Sequence, residues 1–76
     1  MRESGKILAA NIKAERSRCG LSQEDVSQQL GITRETYISY EKDASKLSSS
    51  KLIKLSEILK CNISAFFVNF ESTKRE

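Results

Sequence analysis

The chain has 76 residues, of which 38% are hydrophobic and 30% are charged, and its formal net charge is +3. This length allows one compact domain, and the slight basic excess permits a nucleic-acid partner without requiring one. With two cysteines and no histidine, the composition excludes a structural zinc site, which takes four Cys or His ligands, and a disulfide-rich secreted scaffold.

The two cysteines and the hydrophobic segments indicate the cellular compartment. Cys19 and Cys61 are expected to be buried, reduced thiols. The N-terminal apolar run of residues 7–10 is too short for a signal peptide. No stretch reaches the roughly 20 apolar residues of a membrane span. We therefore expect a cytoplasmic protein that has no contact with a membrane.

Helical periodicity extends along the whole chain, and the first helix carries an apolar stripe. The stripe consists of Leu8, Ile12 and Cys19. Gly20 is expected to end this helix, because glycine accepts the left-handed backbone that often follows a last helical turn.

Two short helices follow, and each has its own start signal. The first, at about residues 22–30, begins with Ser22 as its N-cap and ends at Gly31. The second, at about residues 33–41, begins with Thr33 as its N-cap. Helices shorter than about 12 residues are marginal alone, so packing must hold both.

The second short helix has an inward and an outward side. Tyr37 and Tyr40 are three positions apart and are expected in the core. Helical geometry then directs four other side chains outward, namely Arg34, Glu35, Ile38 and Ser39. A narrow outward face that begins at a helix N-terminus fits a DNA major groove, which is about 12 Å wide.

The rest of the chain predicts two further helices. The fourth helix, at about residues 49–60, starts at a run of three serines and buries four apolar side chains, Leu52, Leu55, Ile58 and Leu59. A short fifth helix is expected to start at Asn62. The sequence therefore predicts a single all-α domain, residues 1–76, with five short helices around one small core.

Several of these segments together match one known family. The matching residues are Gly20–Val26, Leu30–Thr36, Glu41, Leu52, Leu55, Leu59 and Ile63–Phe67. The chain resembles helix-turn-helix regulators of the phage Cro/repressor type, also called the xenobiotic-response-element family, over about residues 5–67. The resemblance implies a lambda-repressor-like DNA-binding domain in which residues 33–41 form the recognition helix. The loop of residues 42–46 departs from the family, because Asp43 stands near its usual glycine.

Four side chains of the recognition helix are expected to contact bases: Arg34, Glu35, Thr36 and Ser39. Arg34 can donate a fork of hydrogen bonds to guanine O6 and N7, and its alternatives are a phosphate contact or plain solvation. Glu35 can accept a hydrogen bond from a cytosine amino group, orient Arg34 or repel phosphate, and these alternatives stay open.

Five side chains around that helix are expected to contact DNA phosphates: Gln23, Thr33, Lys42, Ser45 and Lys46. Gln23 and Thr33 begin helices, where free N–H groups and the helix dipole favour an anion. The resemblance implies that Gln23 clamps the DNA backbone, and it can also brace Arg34. The alternative is helix capping for these two residues and solvated charge for the loop.

The resemblance also implies a structural ion pair between Arg16 and Glu41, which would tie the recognition helix to the first helix. At the other end, residues 62–70 contain an apolar cluster of Phe66, Phe67, Val68 and Phe70. A chain this small cannot easily bury all four near a terminus, so this cluster is expected to form a homodimer interface. The alternative is that all four join the monomer core.

The sequence contains no recognisable combination of catalytic residues, since there is no histidine and no glycine-rich phosphate loop. No metal, cofactor or small-molecule ligand is expected. The leading hypothesis is a homodimeric, sequence-specific regulator of transcription that binds double-stranded DNA at a near-palindromic operator. It would resemble small phage repressors or restriction–modification controllers. The alternative is an antitoxin or protein-binding adaptor that kept the helix-turn-helix fold.

Overall fold

The computed structural model describes residues 4–68, and these form an all-α fold with no strand among them. The elements are α1 (Ser4–Cys19), α2 (Gln23–Leu30), α3 (Arg34–Tyr40), α4 (Ser49–Ile58) and a 3₁₀ helix (Ile63–Phe67). The all-α prediction is confirmed, but the fifth element is not an α-helix. Its five residues are too few for an α-helical ladder, and Ala65 N–H donates to Asn62 O at 2.8 Å, a 3₁₀-type bond.

The local start and stop signals act as predicted. Ser22 Oγ accepts from Asp25 N–H at 3.0 Å, and Asp25 Oδ2 accepts from Ser22 N–H at 3.1 Å, which completes a capping box before α2. Thr33 and Ser48 cap α3 and α4 through their side-chain oxygens. Gly31 ends α2 with φ +76°, in the left-handed region that favours glycine.

The core gathers one or more side chains from every element. The residues with no measurable exposure are Ile12, Val26, Tyr37, Leu55, Leu59 and Phe66. Leu30, Tyr40 and Ile58 pack against them at the edge, half-buried. No helix within residues 4–68 is long and apolar enough to cross a membrane.

Two predictions of burial need correction. Cys19 is exposed, as are the two residues before it, so the end of α1 lies outside the core. Phe66 is 0% exposed within the core of its own chain. It therefore cannot present its ring to a second copy, which corrects its assignment to a dimer interface.

A buried amide fastens the C-terminal part of the fold to α1. Asn11 is only 8% exposed, and its Nδ2 donates to Phe66 O at 2.8 Å and to Val68 O at 2.9 Å. One side chain thus donates hydrogen bonds to two carbonyl groups that lie more than fifty residues away in sequence. These bonds hold the 3₁₀ helix and the residue that follows it against α1.

Replacing Asn11 by alanine is expected to lower the free energy of unfolding by about 1–3 kcal/mol, because a buried carbonyl then lacks its donor. Urea unfolding at neutral pH measures this. Asn11→Asp provides the control, since it keeps the size but removes the N–H donors and should lose at least as much. An unchanged urea midpoint for Asn11→Ala would show that other donors satisfy the two carbonyls.

Lys60 follows α4 with φ +54°, a backbone conformation that costs a residue with a Cβ atom about 1 kcal/mol or more. Lys60→Gly is therefore expected to raise the free energy of unfolding by up to about 1 kcal/mol. Lys60→Ala removes the same charge but keeps the Cβ atom, so it should gain little. Equal midpoints for the two variants in urea unfolding would contradict this account.

Candidate nucleic-acid interface

The turn between α2 and α3 holds the two helices in a fixed relation. Gly31 N–H donates to Gln28 O at 3.1 Å, and Ile32 N–H donates to Ser27 O at 3.0 Å. Thr33 then caps α3, so three residues separate the two helices. Because Tyr37 is fully buried, the opposite side of α3 must face outward.

That outward side carries all four of the side chains predicted to contact bases: Arg34, Glu35, Thr36 and Ser39. All four are exposed. Ile38 was also expected to face outward, but it is half-buried and thus less exposed than these four. The structure therefore brings the four polar side chains together on one exposed face of one helix.

Hydroxyl groups at the start of α3 are hydrogen-bonded to one another. Thr33 Oγ1 accepts from Thr36 N–H at 3.1 Å and donates to Thr36 Oγ1 at 2.8 Å. The Thr33 hydroxyl is thus engaged as a cap, while the hydroxyl hydrogen of Thr36 stays available to an acceptor. Ser39 Oγ donates to Thr36 O at 2.6 Å, which leaves the Ser39 oxygen as an acceptor.

Among the described residues, no neighbour neutralises either of the charged side chains at the start of α3. Within residues 4–68, Arg34 and Glu35 take part in no ion pair. Gln23, for which bracing of Arg34 was a second possible role beside phosphate contact, donates through Nε2 to Glu41 Oε1 at 3.1 Å. The exposed guanidinium and carboxylate are therefore both available to a ligand.

Glu41 lies directly after α3, and its side chain is only 4% exposed. Its carboxylate accepts hydrogen bonds from residues of three helices. Arg16 of α1 donates from Nε to Oε2 at 2.6 Å and from Nη2 to Oε1 at 3.3 Å. The Tyr37 hydroxyl of α3 also donates to Oε2. With Gln23 of α2, the carboxylate receives four hydrogen bonds, so the exposed face of α3 sits on a fixed support.

These bonds shift the pKa values of the groups involved. Burial by itself raises the pKa of Glu41, but the hydrogen bonds from its three partners lower that pKa by more, so the net shift is downward. Burial, and then the bond to Glu41, raise the pKa of Tyr37. Glu41 therefore stays ionised, and Tyr37 stays a donor, across the physiological range.

The loop after α3 presents the remaining candidates for phosphate contact. Lys42, Ser45 and Lys46 are all exposed. Asp43 Oδ1 accepts from Ser45 N–H at 3.0 Å, and this bond, with help from the Ser45 hydroxyl, lowers the pKa of Asp43. An open depression of about 340 Å³ beside the end of α3 is lined by Ser39, Tyr40, Asp43, Ser45 and Lys46.

This loop also rests on the start of α1. Ala44 N–H donates to Gly5 O at 3.0 Å. A Cβ atom at position 5 would displace the Asp43 carboxylate and lie 3.0 Å from Ser45 Cβ, so the close approach favours glycine. The loop thus follows a defined path even though it lacks the glycine that the family usually has there.

The apolar cluster predicted at the C-terminal end is divided by the structure. Phe66 is a core residue, while Phe67 is 42% exposed and Val68 is 49% exposed. Phe70 lies outside the described residues. A further exposed apolar side chain, Ile53 on α4, is 52% exposed and was not singled out from the sequence.

Sequence reasoning missed two members of the Glu41 network, Gln23 and the hydroxyl of Tyr37. A buried carboxylate has room for about four hydrogen bonds, so a single arginine leaves it unsatisfied. That requirement is the signal that could have found them.

Among residues 4–68, no group of three or more His, Cys, Asp or Glu side chains could hold a metal ion.

The arrangement of α2, the short turn and α3 agrees with a direct comparison of sequences. The profile of the helix-turn-helix family matches residues 12–66. The chain belongs to this helix-turn-helix family. The family resemblance seen in the sequence is thus confirmed.

Two curated relatives of this helix-turn-helix chain are named as regulators. It is 35% identical over 60 residues to an uncharacterized HTH-type transcriptional regulator of Sinorhizobium medicae (strain WSM419), and equally to one of Rhizobium meliloti (strain 1021). The matches cover 79% of this chain but 43% of each relative. The helix-turn-helix chain therefore spans less than half the length of these relatives.

Proposed function

We propose that this helix-turn-helix chain regulates transcription by binding a specific sequence in double-stranded DNA. The observation that carries the proposal is the exposed face of α3, where Arg34, Glu35, Thr36 and Ser39 are all open to solvent. The opposite side of the same helix is fixed by buried Tyr37 and by the Glu41 network. A rigid, narrow, polar helix face is what major-groove recognition requires.

In this proposal, α3 lies in the major groove and its first turn reads base edges. The Arg34 guanidinium donates to guanine O6 and N7, and the Thr36 hydroxyl donates to a base acceptor. Glu35 accepts from a cytosine amino group or excludes sequences that place a phosphate or a base acceptor beside it.

Phosphate contacts set the position of the protein on the duplex. We assign them to Gln23, Thr33, Lys42, Ser45 and Lys46. The two lysines follow α3 and are exposed, so they lie where the chain would cross the DNA backbone. Affinity is then expected to fall steeply as salt rises, because each neutralised phosphate releases counterions.

The chain is further proposed to act as a homodimer on a near-palindromic operator. Phe67 and Val68 offer apolar surface at one end of the domain, at 42% and 49% exposure. Two copies joined there would place their α3 helices in successive major grooves, about one helical turn apart. Control by concentration, as in a small phage repressor or a restriction–modification controller, fits such a protein.

Selection of bound duplexes from a random library, at about physiological salt, tests this proposal. Non-specific binding is weak under those conditions. Enrichment of an inverted repeat is the expected result and would also give the operator. Enrichment of a single half-site would retain the DNA-binding function and overturn the dimer.

The second candidate function is a protein-binding module such as an antitoxin or adaptor. The observation in its favour is Ile53 on α4, an apolar side chain that is 52% exposed. A folded protein that enriches no sequence, and whose complex with a partner protein is broken by Ile53→Ser but not by Arg34→Ala, would support this function over DNA binding.

A further inference from the structure

The last residue of α1 places a thiol against the end of α4. Cys19 is exposed, and its Sγ donates to Leu59 O at 2.7 Å. Leu59 is the C-cap of α4 and is itself fully buried. The thiol therefore has a fixed position at the junction of two helices and remains open to solvent.

The second cysteine follows that same carbonyl by two residues. Cys61 is half-buried, and its backbone N–H donates to Ser56 O at 3.0 Å, which closes the last turn of α4. Lys60, with φ +54°, turns the chain between Leu59 and Cys61. The backbone of Cys61 is thus held next to the group that Cys19 already contacts.

Charged groups in the last turn of α1 act on the pKa of Cys61. Burial raises the pKa of Cys61, and the negative charges of Glu15 and of the Cys19 thiolate raise it further, while Arg18 opposes them. Charge interactions of this kind weaken with distance. The contact of Cys19 Sγ with Leu59 O, two residues before Cys61, places both cysteines at this junction of α1 and α4.

We propose that Cys19 and Cys61 form a redox-modification site, in which a peroxide converts the two thiols into an intramolecular disulfide that fastens α1 to the turn after α4. Both thiols are free in the structure. The exposed thiol, Cys19, reacts first, because access favours oxidation. Half-buried Cys61 then acts as the resolving thiol.

The chemistry balances with hydrogen peroxide as the oxidant. The Cys19 thiolate attacks one peroxide oxygen, the O–O bond breaks, and after uptake of a proton a sulfenic acid and one water result. The Cys61 thiolate then attacks the sulfenic sulfur, the S–O bond breaks, and the leaving hydroxide becomes a second water. Each sulfur is oxidised by one electron, and the peroxide takes up both electrons.

Such a bond would constrain the unfolded chain over the segment from Cys19 to Cys61, which contains α2, α3 and α4. Closing so long a segment limits the conformations of the unfolded chain. For a domain of this size the melting temperature should rise by roughly 10 °C or more. The disulfide would therefore make the domain more stable under oxidising conditions.

The test treats the full chain with hydrogen peroxide, blocks the remaining thiols with an alkylating reagent and identifies the products by mass spectrometry. The expected product is a monomer that has lost two hydrogen atoms and takes up no alkyl group. Its proteolytic map should contain a linked pair of peptides that carry Cys19 and Cys61. A thiol reductant should reverse both the linkage and the rise in melting temperature.

Cys19→Ser is the matched control, because its hydroxyl can still donate to Leu59 O. Its melting temperature should not respond to peroxide, and neither should that of Cys61→Ser. Disulfides only between copies of the chain, or a sulfinic acid at Cys19 with Cys61 still alkylated, would overturn the proposal. None of these readouts involves DNA, so the result is independent of the proposed function.

Discussion

Replacing Arg34 by alanine is expected to weaken binding to the selected operator by roughly 5- to 150-fold for each recognition helix, which corresponds to about 1–3 kcal/mol. Arg34 is the first residue of α3, is exposed and takes part in no ion pair among residues 4–68. Its loss should leave the fold intact, because it supports nothing in the core. Fluorescence anisotropy with a labelled operator at one fixed salt concentration measures the change.

Two further variants separate a base contact from a phosphate contact. Arg34→Lys keeps the charge but loses the fork geometry, so specific binding should fall nearly as far as in Arg34→Ala. Lys54→Ala removes one positive charge from the exposed side of α4 and should change affinity little.

A base contact and a phosphate contact are best distinguished by measuring affinity for both the operator and a scrambled duplex. If Arg34 reads a base, Arg34→Ala should lower affinity for the operator much more than affinity for a scrambled duplex. Equal losses on both duplexes, with a salt slope reduced by about 1, would instead make Arg34 a phosphate contact.

The parts of this fold that could be predicted from sequence are those that depend on near neighbours. Ser22 caps α2 through a residue three positions on, and Thr33 caps α3 in the same way. Gly31 provides the left-handed backbone at the end of α2. Such signals act within one helical turn, so a single sequence contains them completely.

The parts that could not be predicted depend on contacts between distant residues. Helical periodicity placed Cys19 in the core because periodicity alone cannot show which turns of α1 the rest of the fold covers. Phe66 was assigned to an interface because nothing local shows that the 3₁₀ helix folds back over α1. That return is fixed by Asn11, whose bonds to Phe66 and Val68 join opposite ends of the chain.

The exposed face of α3 could be predicted from the sequence only in part. Once Tyr37 is assigned to the core, geometry alone directs Arg34 and Glu35 outward, and both are exposed. What the sequence could not give is the support behind that face. The family resemblance implied the Arg16–Glu41 contact, but it did not include the hydroxyl of Tyr37.

Glu41→Ala is expected to cost about 3–5 kcal/mol of folding stability, because removing one partner of a buried ion pair leaves the other charge uncompensated. Arg16 has a side chain only 14% exposed and would lose both of its hydrogen bonds to this carboxylate. The buried hydroxyl of Tyr37 would lose its acceptor as well. A domain of this size has a total stability of roughly 4–11 kcal/mol, so the variant should lose a large part of it.

Glu57→Ala is the control for this variant, since Glu57 is an exposed glutamate on α4 and should change stability by less than about 0.5 kcal/mol. Urea unfolding followed by circular dichroism measures both. A Glu41→Ala protein as stable as Glu57→Ala would show that the ion pair contributes nothing net, as some buried pairs do.

The same carboxylate should make stability depend on pH in the acid range. The pKa of Glu41 lies below its ordinary value of 4.5 in the folded protein, so its contribution is complete above pH 4.5 and is lost as pH falls through the folded pKa. Glu41→Gln cannot ionise, so the difference in stability between wild type and this variant should shrink as the solution is acidified. The exposed carboxylates Asp25 and Asp43 remain in both proteins and cancel in that difference. A difference that stays constant from neutral pH down to about pH 3 would show that Glu41 has the same pKa in the folded and unfolded chains.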